Sequence, residues 1–278
     1  MVHPNLIPPA FAPGSVWLVG AGPGDPGLLT LHAAHALSVA DVVMHDALVA
    51  PEILALINPA ARLVPVGKRA RRGGAMQIRI NEGLIGHARA GLRVVRLKGG
   101  DPLVFGRGAE EALALAAAGI AFRIIPGISA GIGGTASAGM PLTHRMLARS
   151  VTFATGHDVS GAMPDGTDWA ALARGADVLV LYMALRTIGS ISERLISAGR
   201  GADEAVAFIA EATTPRQRVR IATLGTAGAV SAGLDRTAPT LIVIGPTVGL
   251  HALLEGWQQT EPMTVDIPAL AARARGMN

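Results

Sequence analysis

The feature that most constrains the fold is a short apolar run that ends in glycine and recurs along the chain. It occurs four times, as LVGAGPGDPG, RLKGGDP, IIPGISAG and VIGPTVG. Runs rich in Val and Ile are typical of buried parallel strands, and a glycine after a strand permits a tight turn and close approach of a ligand to the backbone. Helical stretches separate several of these runs, so the sequence predicts an α/β fold with ligands bound at the carboxyl ends of strands.

The strands and helices fall into two series. In the first, strands are predicted at Val16–Val19, Val42–His45, Leu63–Val66, Val94–Leu97 and Phe122–Ile125, with helices at Leu29–Val39, Pro51–Ile57, Ala75–Arg89 and Arg107–Ala118. In the second, strands are predicted at Val151–Thr155, Val178–Met183, Val206–Ile209, Arg218–Thr223 and Leu241–Ile244, with helices at Ile128–Ala138, Trp169–Ala173 and Ile188–Ala198. The first pattern predicts a mostly parallel sheet, and the short later connections of the second predict a partly antiparallel one.

This division predicts four segments. We expect an extended N-terminal arm over residues 1–14, an N-terminal α/β domain over 15–126, a C-terminal α/β domain over 127–260 and a tail over 261–278.

Composition excludes several classes of protein. Hydrophobic residues make up 50% and charged residues 16% of the chain, which excludes intrinsic disorder. A net charge of +4 and an aromatic content of 3% argue against nucleic acid as a partner. The apolar runs are far shorter than the roughly 18 residues of a membrane span, and the first residues lack the features of a signal peptide. With no cysteine to form disulfides, we expect a cytoplasmic protein that does not associate with membranes.

The loop Gly20–Gly27 contains a literal G-x-G-x-x-G, and Asp41 and Asp46 follow about 20 residues later, as in a dinucleotide-binding fold. Pro23 and Pro26 argue against that interpretation, because a phosphate cradle needs free backbone N–H groups and proline has none. A tight loop without a ligand is the remaining alternative.

The segment Arg96–Gly108 is the second candidate. Gly99 and Gly100 expose backbone, and Asp101 is able to accept hydrogen bonds from a hydroxyl or ammonium group of a ligand. Alternatively, Asp101 only caps the next turn of the chain.

Six motifs occur in order, and together they resemble the tetrapyrrole (corrin/porphyrin) methylase family: GAGPGDPGLLT, VVMHDALV, VGKR, RVVRLKGGDPLVFGRG, PGISAG and GMPLTHR. The resemblance runs from about Val16 to about Leu254. It implies a class III methyltransferase fold, in which two α/β domains have a cleft for S-adenosylmethionine between them.

The resemblance also implies a set of cofactor-binding residues, most of them acting through the backbone. They are Pro23, Gly99, Gly100, Asp101, Val104, Ser129, Ala130, Met183, Ala212 and Thr240. Two positions depart from the family pattern. Ser129 stands where the family usually has Thr, and Ala212 stands where close relatives often have Gly.

For the reaction, the resemblance implies Asp46 as the proton acceptor and Lys68 as the proton donor or substrate clamp. The alternative is that these two residues form an ordinary ion pair. Asp25, Arg96 and Arg107 match charged positions that the family uses near the substrate. Because the substrate carries eight carboxylates, the basic loop of Lys68, Arg69, Arg71 and Arg72 is a further candidate for binding it.

The implied activity is the C-methylation of uroporphyrinogen III at two carbons, C2 and C7, to give precorrin-2 for siroheme or cobalamin. S-adenosyl-L-homocysteine is the second product. No metal is expected, because the sulfonium methyl is already activated and needs only orientation. The resemblance also implies a homodimer. Three alternatives remain: a later precorrin methyltransferase, a nicotinamide oxidoreductase and a tetrapyrrole carrier without catalysis.

Overall fold

The computed structural model describes residues 8–67, 74–158 and 161–254, except the side chains of residues 74 and 75. The chain divides into two compact units, Met1–Ala130 and Gly131–Asn278. Each contains one five-stranded sheet with helices, so the predicted class of two α/β domains is confirmed. The exact limits predicted for the arm, domains and tail stay predictions.

The first unit follows the predicted alternation of strands and helices. Its strands are β1 (Val16–Gly20), β2 (Val42–His45), β3 (Arg62–Pro65), β4 (Val94–Lys98) and β5 (Phe122–Ile125), and its helices are α1 (Leu31–Val39), α2 (Pro51–Leu54), α3 (Gly74–Arg89) and α4 (Gly108–Ala117). Helix α1 begins two residues later than predicted, because the Thr30 side chain accepts a hydrogen bond from the Ala33 amide and caps the helix there. A short 3₁₀ turn, Pro26–Leu28, precedes it.

All neighbouring strands of the first sheet are parallel, in the order β3-β2-β4-β1-β5. The central strands β1 and β4 are buried along their whole length, because helices cover both faces of the sheet. Their register pairs Gly20 with Lys98, so both strands end at the same level. The loops that follow β1, β2, β4 and β5 therefore lie together along the edge formed by the carboxyl ends of these strands.

Part of the predicted N-terminal arm is anchored to the first core. Phe11 is buried and stacks on Trp17, with 4.4 Å between ring centroids, while the Arg123 guanidinium lies over the same indole. Arg93 adds a hydrogen bond from its Nε to the Phe11 carbonyl, 3.0 Å long. The residues just before β1 thus belong to the packed domain.

The second unit is a mixed sheet, as predicted. Its strands are β6 (Val151–Thr155), β7 (Val178–Tyr182), β8 (Ala205–Ala210), β9 (Arg218–Thr223) and β10 (Thr240–Ile244), and the helices of this half of the chain are α5 (Ala130–Ser137), α6 (Trp169–Gly175), α7 (Ile188–Ser197), α8 (Ala227–Ala232) and α9 (His251–Leu254). Helices α8 and α9, of six and four residues, were not predicted.

The strand order of this sheet is β6-β7-β10-β8-β9, with β6 and β7 parallel and the other pairs antiparallel. Because β10 runs against β7 and β8, its first residue, Thr240, pairs with Ala210 at the end of β8. The carboxyl ends of β6, β7 and β8 and the amino end of β10 therefore share one edge of this sheet.

We expect Gly20→Ala to destabilise the protein by about 1–3 kcal/mol, the usual cost of overpacking. A Cβ at Gly20 would lie 2.5 Å from the Gly127 nitrogen and 2.6 Å from the Gly100 oxygen, and neither backbone atom is free to move aside. Urea denaturation measures the change. The control is Gly86→Ala on the exposed face of α3, where no atom lies within 4 Å of the new Cβ and a gain of about 0.5–1 kcal/mol is expected. Equal stability of the two variants would contradict this packing argument.

Candidate active site

The loops after β1 and β4 are joined by their backbones. The Ala21 nitrogen donates to the Lys98 oxygen over 2.7 Å, and Gly22 and Gly100 exchange two hydrogen bonds of 3.1 and 2.7 Å. Gly22 and Gly100 have φ angles of +72° and +67°, which other residues rarely adopt. Since both amides are used within the protein and Pro23 has none, this loop offers a poor cradle for the phosphates of a dinucleotide.

Asp101 ties a third loop to the first two. Its Oδ1 accepts from the Leu103 nitrogen over 2.8 Å, which is the capping role considered as the alternative. Its Oδ2 accepts from the Gly127 nitrogen over 3.0 Å, in the loop after β5. Asp101 therefore caps its own turn and also fixes the segment that leads to Ser129 and Ala130.

The predicted cofactor residues of the first domain come together around this junction. A Cβ at Gly100 would lie 3.7 Å from the Ala130 nitrogen and 3.8 Å from the Ser129 Cα. Val104 follows in the same loop, where its nitrogen donates to the Asp101 oxygen over 3.4 Å. Pro23 is half-buried in the loop after β1.

Two of the three charged residues predicted near the substrate lie on exposed loops. The Asp25 side chain accepts from the Gly27 nitrogen over 2.7 Å and caps the 3₁₀ turn. Arg107 has a φ of +58° and forms a two-pronged ion pair with Glu110, with distances of 2.9 and 2.6 Å. The hydrogen bond from Arg107 lowers the pKa of the Glu110 carboxyl below its usual value.

The cofactor residues predicted in the second domain gather at one edge of its sheet. Met183 follows β7, Ala212 follows β8 and Thr240 begins β10. Met183 has a φ of +56°, and the residues on either side of Ala212, Glu211 and Thr213, have φ angles of +47° and +64°. Strained backbone of this kind is concentrated at functional sites in proteins generally.

Sequence reasoning missed Glu211, Thr213 and Tyr182. The hydroxyl of Tyr182 accepts from the Gly131 nitrogen over 2.7 Å and so holds the start of α5 beside this edge. No local signal marks a Glu or Thr with positive φ, because such residues seldom adopt that conformation. Only the surrounding fold identifies them.

Of the predicted catalytic pair, only Asp46 lies within the described residues. Lys68 lies outside them, as do Arg69, Arg71 and Arg72. Their predicted roles, and the alternative Asp46–Lys68 ion pair, stay predictions. Asp46 itself follows β2 and keeps 29% of its side chain exposed. Among the residues that the structure describes, its nearest cation is Arg96, with 2.5 Å between Nη2 and Oδ1.

Arg96 was predicted to lie near the substrate, and its side chain is only 2% exposed. Its Nε donates to Glu111 Oε1 over 3.0 Å, and its Nη1 donates to the backbone oxygens of Met44 and Leu97. The guanidinium thus lies behind Asp46 and contacts its carboxylate. A direct contact with substrate stays a prediction.

A second buried cation, Lys98, lies beside Arg96. Its Nζ is 3.1 Å from Glu111 Oε1 and 3.9 Å from Asp46 Oδ2, and 3% of its side chain is exposed. Burial lowers the pKa of the Lys98 ammonium below its usual value of 10.5, and the neighbouring Arg96 charge acts in the same direction. We call Asp46, Arg96, Lys98 and Glu111 the buried charge cluster.

Within residues 8–67, 74–158 and 161–254, no group of three or more His, Cys, Asp or Glu side chains is arranged to hold a metal ion. Over the same residues, no helix combines the length and apolar character needed to cross a membrane.

The fold and the glycine loops match a known class of proteins. The model of the family "Tetrapyrrole (Corrin/Porphyrin) Methylases" matches residues 15–228. The chain belongs to this tetrapyrrole methylase family, and the predicted resemblance is confirmed.

Individual relatives make the comparison more specific. Over 247 residues the chain is 54% identical to a uroporphyrinogen-III C-methyltransferase of Sinorhizobium sp, covering 89% of this chain and 88% of that protein. It is 48% identical to siroheme synthase 1 of Pectobacterium atrosepticum, covering 91% of this chain but only 52% of that longer protein. A crystal structure of uroporphyrin-III C-methyltransferase from Thermus thermophilus, complexed with S-adenyl homocysteine, matches with a TM-score of 0.73 and 39% identity, covering 84% and 98% of the two chains.

The lowered pKa of Lys98 predicts how stability changes in alkaline solution. Between the folded-state pKa and 10.5, the unfolded chain holds a proton on Lys98 that the folded chain has lost, so the free energy of unfolding rises with pH. We expect urea denaturation of the wild type to show this rise relative to Lys98→Met, in which the group is absent. Taking the difference cancels the titration of other groups. A difference that falls with pH would contradict the direction assigned to Lys98.

Proposed function

We propose that this protein uses S-adenosyl-L-methionine to C-methylate uroporphyrinogen III twice, at C2 and C7, giving precorrin-2 for siroheme or cobalamin. The observation that carries the proposal is 54% identity, over nearly the whole chain, to a uroporphyrinogen-III C-methyltransferase. The site geometry supports it, because the loops after β1, β4 and β5 meet at one edge of the first sheet and a partly exposed carboxylate lies at the end of β2.

The reaction requires the protein to orient the methyl donor and the tetrapyrrole and to remove one proton. A carbon of the electron-rich pyrrole forms a bond with the sulfonium methyl, the carbon–sulfur bond breaks, and S-adenosyl-L-homocysteine leaves. The tetrapyrrole then loses a proton. We assign Asp46 as the acceptor, because its carboxylate is exposed enough to meet the substrate and to pass the proton on to water. Lys68 is proposed as the proton donor or substrate clamp.

The cofactor is proposed to bind through residues at the edges of the two sheets. In the first domain these are Pro23, Gly99, Gly100, Asp101, Val104, Ser129 and Ala130, and in the second they are Met183, Ala212 and Thr240. Ser129 keeps the hydroxyl of the Thr that is usual in the family. The methyl group of Ala212 lies beside Gly134 of α5, where an added Cβ would come within 2.9 Å of it. A glycine at 134 therefore leaves room for alanine at 212.

The substrate is proposed to contact Asp25, Arg96 and Arg107. Arg107 suits this role, because it is half exposed on a strained loop and its present partner, Glu110, is a surface residue that a substrate carboxylate is able to replace. Arg96 would contribute mainly through Asp46. We further propose that the protein is a homodimer in the cytoplasm, needs no metal and does not bind nucleic acid.

The nicotinamide alternative is weaker. Its G-x-G-x-x-G loop would have to offer free N–H groups, but that of Gly22 donates to the Gly100 carbonyl oxygen, and Pro23 and Pro26 have no N–H. A later precorrin methyltransferase remains a distinct alternative, and the choice of substrate tests it directly.

The test is to incubate the protein with uroporphyrinogen III and S-adenosylmethionine and to measure the mass of the tetrapyrrole product. We expect two added methyl groups and no change in mass when NAD replaces S-adenosylmethionine. Transfer to a partly methylated precorrin but not to uroporphyrinogen III would favour the later methyltransferase. Binding of uroporphyrinogen III without methyl transfer to it would favour the carrier.

We expect Asp46→Asn to lower kcat by about 10²–10⁴-fold, the usual contribution of a general base, and to leave S-adenosylmethionine affinity unchanged. Asparagine keeps an oxygen for Arg96 and loses the negative charge that accepts the proton. Single-turnover methylation and isothermal titration on the same variant measure the two effects.

The matched control is Asp41→Asn, at the opposite end of β2, where the carboxylate accepts from the Arg93 nitrogen and lies far from the site edge. It should keep the wild-type kcat. A larger loss of cofactor affinity than of turnover in Asp46→Asn would instead make Asp46 a cofactor ligand.

A further inference from the structure

Only one member of the buried charge cluster reaches solvent. Asp46 is 29% exposed, whereas the exposed fractions of Arg96, Lys98 and Glu111 are between 0% and 3%. Three charges are therefore held in the interior directly behind one accessible carboxylate. The roles proposed above use Asp46 and Arg96 but leave Lys98 and Glu111 without a function.

Glu111 organises the buried side of the cluster. Its Oε1 accepts three hydrogen bonds, from Arg96 Nε over 3.0 Å, Lys98 Nζ over 3.1 Å and Gln77 Nε2 over 3.2 Å. Its Oε2 is also buried and has no partner among the residues that the structure describes. One carboxylate oxygen of α4 thus sets the positions of both cations on β4.

Stability alone does not explain this arrangement. Burying charges costs solvation free energy that their mutual attraction does not always repay, and apolar replacements of similar volume are often as stable. The lowered pKa of Lys98 has the same cause, because the interior disfavours its charged form. The ammonium group is therefore held where the fold gains little from it.

The groups that face Asp46 come from several elements, and the two nearest charges among the described residues are cations. From β4, Arg96 and Lys98 face it, and from α4, Glu111 lies behind both cations. From β2, the His45 ring lies 3.2 Å from the Asp46 backbone oxygen. From α3, the neutral side chain of Gln77 donates to Asn81 and to Glu111.

We propose that Lys98 and Glu111 are positioning residues for methyl transfer, which orient Arg96 and hold the Asp46 carboxylate ready to accept the ring proton. This inference rests on the proposed function and on the role given there to Asp46. With all four groups ionised the cluster is neutral. When Asp46 takes the proton from the tetrapyrrole, the cluster is left with one excess positive charge, which favours transfer of that proton to water at the exposed face of Asp46.

The test is kinetic and uses the full chain. Lys98→Met keeps the length of the side chain and removes the charge, and Glu111→Gln keeps its shape and removes the charge. In each variant we expect kcat to fall about 10–100-fold, the loss typical when the residues that orient metal ligands are changed, which is the nearest comparable case. We expect the KM for uroporphyrinogen III and the affinity for S-adenosylhomocysteine to stay within about threefold of the wild type. Because removing one member of a buried ion pair leaves its partners less well compensated, the melting temperature of each variant is measured too, and kcat is compared below the lowest of them.

Matched controls come from the Arg200–Glu204 pair of the second domain, which is also largely buried, with 2.7 Å between Nη1 and Oε1. Arg200→Met and Glu204→Gln repeat the same two chemical changes away from the site and should keep the wild-type kcat. Equal losses of kcat in the controls would overturn the inference.

The remaining outcomes separate the two proposals. Full turnover in Lys98→Met and Glu111→Gln, with an active wild type, would overturn this inference and leave the proposed function intact. A lower melting temperature in Lys98→Met, with parallel losses of S-adenosylhomocysteine binding and turnover, would assign the cluster to stability and also overturn it. A wild type that binds S-adenosylmethionine but does not methylate uroporphyrinogen III would overturn the proposed function and this inference with it.

Discussion

The close approach of three backbones at the edge of the first sheet is the constraint on which the site depends. Gly20 comes so near Gly100 and Gly127 that a single methyl group would collide with both. Asp101 then binds the Gly127 amide and fixes the third loop against the other two. Because no side chain separates these loops, their positions are set by the strands β1, β4 and β5 and not by adaptable packing.

Backbone pairing between these loops explains why the glycine-rich loop is a misleading sign of a dinucleotide site. Its spacing satisfies G-x-G-x-x-G, but Gly22 and Gly100 use their amides to bind each other. Spacing alone reports where glycines lie along the chain, whereas the use of each N–H depends on which loop lies opposite. Pro23 and Pro26 were the only local sign that this loop differs from a phosphate cradle.

The positions of the strands could be predicted from the sequence, because they depend on the local pattern of apolar residues. Runs rich in Val and Ile located the ten strands of the described chain to within about two residues. The signal is strongest in strands such as β1, β4 and β7, which are buried and therefore apolar on both faces. The contacts between side chains of different strands and helices could not be predicted in this way. Arg96 was predicted to lie near the substrate, but in strand β4 Arg96 and Lys98 both point toward Glu111, which lies 15 and 13 residues further along the chain. That convergence exists only once α4 has packed beside β4, so the local sequence by itself does not reveal it.

Strained backbone is confined to a few loops at one edge of each sheet. Five non-glycine residues of the described chain have positive φ: Phe105, Arg107, Met183, Glu211 and Thr213. All of them follow strands β4, β7 or β8, so the strain of each domain lies at the edge where its sheet's candidate ligand residues gather. Such conformations cost of order 1–3 kcal/mol each and persist only where the surrounding structure imposes them. The apolar cores supply that surrounding structure, and the loops at these two edges are held in shapes that local preference alone would not select.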